Sequence, residues 1–429
     1  MKKTLLICDL YPLPENIGAN MRTMNLVRFF QNYGSVDVVY TTILPDAQTN
    51  NKIFSNEYML RKKDYPEGFI THFLMSIKGV PYPICEYDSV SHENLITLLQ
   101  PDEYDYIFVR YIKSTSTLFS LSEAIKMKII VDFDDIITGS LYKVLFGFTD
   151  NPFRLFARSL NKIFLNSYQK KCLNFGAALF CSESDRRELT ERNYKSNTFV
   201  VPNTFNNNLF RDYEFTDGFR NGNTLLFVGT LFYAPNINAL TWFINSVFTK
   251  YKALYPDAKL LVVGRSPTNE IIDLCHSTDG IELYQDVPDV KEYYKQCRAV
   301  VIPLLEGGGT RIKVLEAGLA NRPILSTPQG IEGLDLCDDK DFLLFKDGLE
   351  FLNVYKKLLD TDKYNSLVNN AKECVLTKYS VEALNTAMKK VLIEIDNKKC
   401  AQAPMSILED TISFDAKGFE SKSEKSCVK

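Results

Sequence analysis

An α/β protein of two doubly wound domains facing a cleft is the fold class this sequence predicts, on three observations. Its 429 residues exceed what one hydrophobic core organises, so two domains are expected. Short apolar runs alternate with amphipathic helical stretches in both halves, the pattern of parallel sheets covered by helices. A stretch rich in Asn, Asp and Gly over residues 206–223 separates the two series, as a linker would.

In the first series, residues 5–8, 36–40, 106–109, 129–131 and 178–181 read as buried strands. Residues 21–31 and 118–127 read as amphipathic helices between them. Residues 45–100 read as irregular, because Pro81 and Pro83 prevent a continuous helix. The second series has strands at 225–228, 259–263, 281–283, 299–302 and 323–326, again with helices between. The expected division is a domain over 1–203, a linker over 204–223, a domain over 224–375 and a C-terminal helix over 376–398. Residues 399–429 are Ser-, Lys- and Glu-rich without periodicity and read as a mobile tail.

Bulk chemistry narrows the function classes. Hydrophobic residues make up 45% and charged residues 24% of the chain, which is ordinary globular composition. A net charge of -3 gives no reason to expect nucleic acid as a partner. Ten cysteines include no Cys-x-x-Cys pair, and there are only three histidines, which argues against a zinc site and for a reducing compartment. The apolar run at 5–8 meets Asp9 at once, too soon for a signal peptide. No run approaches the roughly 20 apolar residues of a membrane span. A cytoplasmic location is expected.

The densest chemistry lies at 300–318. A strand leads into Gly307, Gly308 and Gly309, then into a helix for which Thr310 is a candidate N-cap. Glycines let backbone approach a ligand closely, and a helix start favours phosphate. Arg311 and Lys313 add positive charge. Glu316, about one turn further along, could accept hydrogen bonds from two adjacent hydroxyls of a ribose. A tight strand–helix turn with an ordinary Lys–Glu surface pair would look the same.

With Pro323-Ile324-Leu325-Ser326-Thr327 and Gly330-Ile331-Glu332-Gly333-Leu334 after it, this segment resembles the C-terminal domain of family 4 glycosyltransferases of GT-B fold. Phe227-Val228-Gly229-Thr230 with Pro235-Asn236 resembles the first strand and turn of that domain. Val287-Pro288-Asp289-Val290 and Tyr293-Tyr294 resemble a further family segment, and Val201-Pro202-Asn203 the junction between domains. The resemblance covers residues 200–340 well and the N-terminal half loosely. It implies two Rossmann-like domains, a nucleotide-sugar donor on the C-terminal one and a glycan or lipid-linked acceptor on the N-terminal one. It also implies transfer with retention, in cell-surface polysaccharide or glycolipid assembly, with no metal at the donor.

The sequence departs from the family twice. The second Glu of Glu-x7-Glu matches Glu316, but the first falls at Gly308, with Glu306 two positions away. Thr230 stands where the family commonly has Arg after the glycine matched by Gly229, and no Lys follows before Trp242. Arg311 and Lys313 are therefore the candidates for the diphosphate, with Gly229, Gly308 and Gly309 as close-approach positions. A nucleotide-sugar epimerase of the same fold and a non-catalytic donor-binding protein are the alternatives.

At the first strand–helix turn, Asp9-Leu10-Tyr11-Pro12 leads to Gly18-Ala19-Asn20-Met21-Arg22. This resembles the family's N-terminal glycine loop, which assigns Gly18 to the donor side and Arg22 to the acceptor. A helix-starting loop with an exposed Arg is the plainer reading. The strand at 129–131 ends in Asp132-Phe133-Asp134-Asp135. Carboxylates there fall where α/β sheets bind ligands. Asp134 and Asp135 are the candidate catalytic residues, on the expectation that crowding raises a carboxyl pKa. Helix capping or local ion pairing is the other reading. Residues 151–171 carry Arg154, Arg158 and Lys162 at four-residue spacing, aromatics beside them and no acid. Such a helix suits an anionic membrane surface, so a peripheral place on the inner membrane face is weighed against a core helix with a solvated basic face.

Overall fold

The computed structural model describes residues 1–15, 18–43, 52–66, 69–134, 136, 152–190, 196–205, 210, 217, 222–306 and 311–402. The first sheet contains β1 (Lys2–Cys8), β2 (Gly34–Tyr40), β3 (Glu57–Met59), β4 (Tyr106–Arg110), β5 (Ile129–Asp132), β6 (Ala177–Phe180) and β7 (Thr198–Val200). The second contains β8 (Thr224–Thr230), β9 (Lys259–Arg265), β10 (Ile281–Gln285), β11 (Ala299–Ile302), β12 (Ile324–Ser326) and β13 (Leu343–Leu344). Their orders are β3-β2-β1-β4-β5-β6-β7 and β10-β9-β8-β11-β12-β13, and every pairing between strands is parallel. This is the two-domain GT-B architecture.

The strands are continuous apolar runs because both faces of each sheet are covered. Successive side chains alternate between faces. Leu5 and Ile7 pack with Leu95, Leu99 and Leu165 of the helices Ser89–Leu99 and Pro152–Cys172. Leu6 and Cys8 pack on the opposite face with Met24, Val27 and Phe30 of the helix Gly18–Gln31. That second layer is completed by Leu384, Met388, Val391 and Ile395 of the last helix, Val381–Gln402. The C-terminal helix thus leaves the second domain and seals the first, where Asp396 accepts from Tyr106 Oη at 2.9 Å.

Several local expectations are corrected. Residues 45–100, read as irregular, hold β3 and the helices Phe69–Ile77 and Ser89–Leu99. The prolines fall between those helices, and Asp88 caps the second by accepting from Ser91 N. The helix expected at 118–127 is broken into a 3-10 turn, Ser116–Ser120, and the helix Glu123–Lys126, because Ser122 starts a new N-cap. The last helix runs to Gln402, past the expected 398. From residue 403 on, the segment read as a mobile tail lies outside the described residues. At the start of the expected linker, Phe205 is buried with Leu315, Leu319, Val375 and Tyr379.

Candidate active site

Strand order reverses between β1 and β4 in one sheet and between β8 and β11 in the other. Ligands of such sheets bind in the crevice outside the carboxyl ends at that point. The predicted site residues that are described sit at or beside those ends.

On the second domain, β8 ends in Gly229 and Thr230, and β11 leads toward Arg311. Gly18, Gly229, Arg311, Lys313 and Glu316 are described; Gly308 and Gly309 lie outside the described residues, as does the expected cap Thr310. The helix Ile312–Leu319 has Arg311 at its N-cap position and no side-chain cap. Asn236, at the head of the helix Ala234–Phe243, joins the two elements. Its Nδ2 donates to Thr230 O at 3.0 Å, and its Oδ1 accepts from Lys313 Nζ at 3.0 Å. The ammonium also lies 5.1 Å from the Phe227 ring centroid, within cation–π range. Glycine at 229 leaves room for this approach: a Cβ there would stand 3.0 Å from Asn236 Nδ2 and 3.2 Å from Lys313 Nζ, close enough that both side chains would have to shift.

Burial pulls the Lys313 pKa down to about 8, the Arg311 charge pulls further the same way, and Glu316 opposes both. Arg311 is buried and donates from Nε to Gln329 O at 3.4 Å. Glu316 is half-buried, and its pKa is pushed up to about 7 by burial, against the hydrogen bond from Tyr294 and the charge of Lys313. Tyr294 Oη donates to Glu316 Oε2 at 3.2 Å. Tyr294 orients that carboxylate from beneath, a role its sequence context does not disclose. Glu306, the nearest acid to the missing first Glu, accepts from Asn238 Nδ2 at 2.7 Å.

On the first domain, Asp132 at the end of β5 is fully buried between two guanidinium groups. Arg22 holds both its oxygens, at 2.9 and 2.8 Å, and Arg110 donates to Oδ2 at 2.9 Å. Arg22 also donates to Val201 O and Asn203 Oδ1, each at 2.9 Å. Its side chain is only 2% exposed. The expected acceptor contact of Arg22 is therefore corrected: its donors tie the glycine-loop helix to β5 and to the domain junction. Arg110 closes an apolar strand, and its one signal in the sequence is a charge at that strand's carboxyl end.

Asp134 lies at the edge of this network. Arg110 Nη2 donates to Oδ2 at 2.8 Å, and Cys181 Sγ and Asn203 Nδ2 reach Oδ1 at 3.0 and 3.4 Å. Burial pushes its pKa up, but Arg110 and Arg22 outweigh burial and hold it well below the usual carboxylate range. The expected upward shift is thus reversed, because the crowding charges are cations. Asp135 lies outside the described residues. Among the described residues no group of three or more His, Cys, Asp and Glu is placed to hold a metal ion.

Comparison with known proteins agrees with this geometry. Residues 222–361 match the family described as Glycosyl transferases group 1. A Klebsiella pneumoniae protein, described as an uncharacterized 44.6 kDa protein in cps region, is 23% identical over 415 residues, covering 92% of this chain and 99% of its own. The sucrose-phosphate synthase of Thermosynechococcus elongatus superposes with a TM-score of 0.65 at 15% identity, covering 92% of this chain and 100% of the synthase. Anabaena HepE in complex with UDP-glucose superposes with a TM-score of 0.59 at 12% identity, covering 91% of this chain and 99% of its own. The fold is the one that GT-B glycosyltransferases share, and the match of residues 222–361 to a glycosyltransferase domain of group 1 type supports a transferase. The epimerase and the non-catalytic readings are not favoured.

Proposed function

We propose that the chain transfers a sugar, with retention, from a nucleotide-sugar held on the second domain to a glycan or lipid-linked acceptor on the first, in cell-surface polysaccharide assembly. The observation that carries the donor assignment is Lys313, whose ammonium donates to Asn236 and lies beside Gly229 at the switch point of the second sheet. It stands beside Arg311 with its charge opposed by burial, a setting that a diphosphate completes. Glu316 then takes the ribose hydroxyls, and Gly18 lets the first domain's loop approach the donor. Asp134, held ionised, orients the acceptor hydroxyl or stabilises developing positive charge at the sugar; no metal is required. The cps-region description of the Klebsiella relative supports the polysaccharide role.

The helix Pro152–Cys172 supports a peripheral place on an anionic membrane. Asn161, Leu165, Tyr168 and Cys172 face the core. Phe156 and Ile163, 59% and 64% exposed, share the outer side with Lys162. Leu74 and Ile77 of the neighbouring helix Phe69–Ile77 are exposed as well, and neither helix contains an acid. No described helix is long and apolar enough to cross a membrane.

Calorimetric titration with nucleoside diphosphates, followed by product analysis with each nucleotide-sugar, tests the proposal. Tight diphosphate binding and a new glycosidic product are expected. Conversion of the donor to its epimer without acceptor would replace the proposal with the epimerase reading.

A further inference from the structure

Beside the Asp132 network, the carboxyl side of the first sheet holds a cavity of about 320 Å³, within the size range of small-ligand sites. Three segments wall it. The 3-10 turn Ser116–Ser120, which follows β4, contributes Ser116 and Thr117. The chain after β3 contributes Lys63, paired with Glu86, and the third wall is the start of the helix Ser89–Leu99. Hydrogen bonds fasten the walls together. Lys63 N donates to Glu86 O at 2.8 Å, Ser116 Oγ to Cys85 O at 2.6 Å, and Arg61 N to Ser91 Oγ at 2.8 Å.

The lining is polar. Ser89, His92 and Glu93 share one helix face by their spacing and all border the cavity. His92 Nδ1 and Thr117 Oγ1 lie 3.3 Å apart and share a hydrogen bond, which leaves the other ring nitrogen for a ligand. Thr117 is buried, whereas Lys63, Ser89 and Glu93 are exposed, so a buried floor lies under a charged rim. The side chains of Ser89 and Glu93 have no partner among the described residues. Hydroxyl, imidazole and carboxylate groups together offer donors and acceptors, as the hydroxyls of a sugar require. An anion is disfavoured. Asp88 already caps the helix start by accepting from Ser91 N, and Glu86 and Glu93 outnumber Lys63 at the rim.

We propose that this cavity is an outer acceptor subsite, which holds a neutral internal sugar of a glycan whose terminal hydroxyl lies at the β1–β4 switch point. Ser116 is six residues beyond Arg110, which closes β4 at that point, at most about 20 Å of chain. A short oligosaccharide spans such a distance. The proposal rests on the glycosyltransferase reading and names its acceptor class: a neutral oligosaccharide chain rather than a single sugar.

Saturation-transfer NMR on the full chain tests this with methyl pyranosides, with maltotriose, cellotriose and chitotriose, and with trigalacturonic acid as an anionic control. The wild type is compared with Glu93→Ala, which removes an acceptor at the rim, and Ser89→Trp, which fills the cavity. Both positions are exposed, and thermal melting checks that the variants fold. At least one neutral trisaccharide should bind the wild type more tightly than the methyl pyranosides do. Glu93→Ala should weaken it about ten-fold, the loss of one hydrogen bond to a charged group, and Ser89→Trp should abolish the advantage over methyl pyranosides. UDP and GDP affinities should not change. Three results overturn the proposal: no neutral trisaccharide binding in the wild type, equal trisaccharide binding in the wild type and Ser89→Trp, or tighter binding of trigalacturonic acid than of every neutral trisaccharide. Failure of the wild type to bind UDP and GDP would instead strike the donor assignment beneath it.

Discussion

Lys313 Nζ lies 3.0 Å from Asn236 Oδ1, although the two residues sit on helices that follow different strands. The family's usual cations after Gly229 are missing, and this contact brings a cation to the same loop from the other side. Lys313→Ala should weaken nucleoside diphosphate binding more than nucleoside binding, by roughly 1.5–3 kcal/mol for a lost charge-assisted hydrogen bond. Paired titrations with UDP and uridine read the difference; equal losses would remove Lys313 from the phosphate.

The pKa of Lys313 gives a pH signature. Its free-state value of about 8 leaves it partly neutral in mildly alkaline solution, and a bound diphosphate favours the charged form. Binding should take up about half a proton at pH 8, and affinity should fall as pH rises beyond it. Calorimetry in buffers of different ionisation enthalpy measures the uptake. Lys313→Arg, charged throughout, should flatten the dependence.

Glu316→Ala should abolish transfer and weaken donor binding while the fold stays intact. Glu316→Gln isolates the charge. The carboxyl's pKa is pushed up to about 7, so the wild type's donor affinity should change between pH 6 and 7, and the Gln variant should lose that change and keep only the dependence that Lys313 imposes around pH 8. Normal turnover of the Ala variant would end the assignment.

Arg22 carries a structural prediction. Removing one partner of a buried ion pair costs about 3–5 kcal/mol, so Arg22→Ala should shift urea unfolding strongly. Arg22→Lys should recover only part of this, because an ammonium cannot hold both oxygens of Asp132. Asp134 adds an acid dependence. Its folded pKa is depressed below 3.8, so its stabilisation is present above 3.8 and lost as pH falls through the depressed value. A change in acceptor KM without loss of stability in Arg22→Lys would return Arg22 to the acceptor.

Membrane docking is tested by co-sedimentation with anionic liposomes. Binding should weaken with salt and fall in Lys162→Glu and in the Phe156→Ser, Ile163→Ser double variant, each basic contact contributing about 1 kcal/mol. Wild-type protein left in the supernatant would refute it.

The fold was legible because doubly covered strands are unbroken apolar runs. β3 and β13 were not, since three and two residues leave no periodicity to detect. The helix Phe69–Ile77 reads FITHFLMSI, too uniformly apolar to show a face. At the candidate site, Lys313 and Glu316 stand out by their spacing within one short segment, and Gly229 through the family resemblance. The Asp132 network does not stand out, because Arg22 lies 110 residues from its partner and only the folded sheet brings them together. For the same reason the cations that depress the Asp134 pKa are not visible beside it in the sequence.

The last helix has a consequence for how the chain is made. The ribosome delivers the first sheet early, yet one of its faces stays partly bare until Leu384, Met388, Val391 and Ile395 emerge. The domain synthesised first is therefore the domain finished last. A fragment stopping near residue 203 would present that apolar face to its neighbours and aggregate. An isolated first domain would need residues 381–402 supplied in trans or joined by a linker.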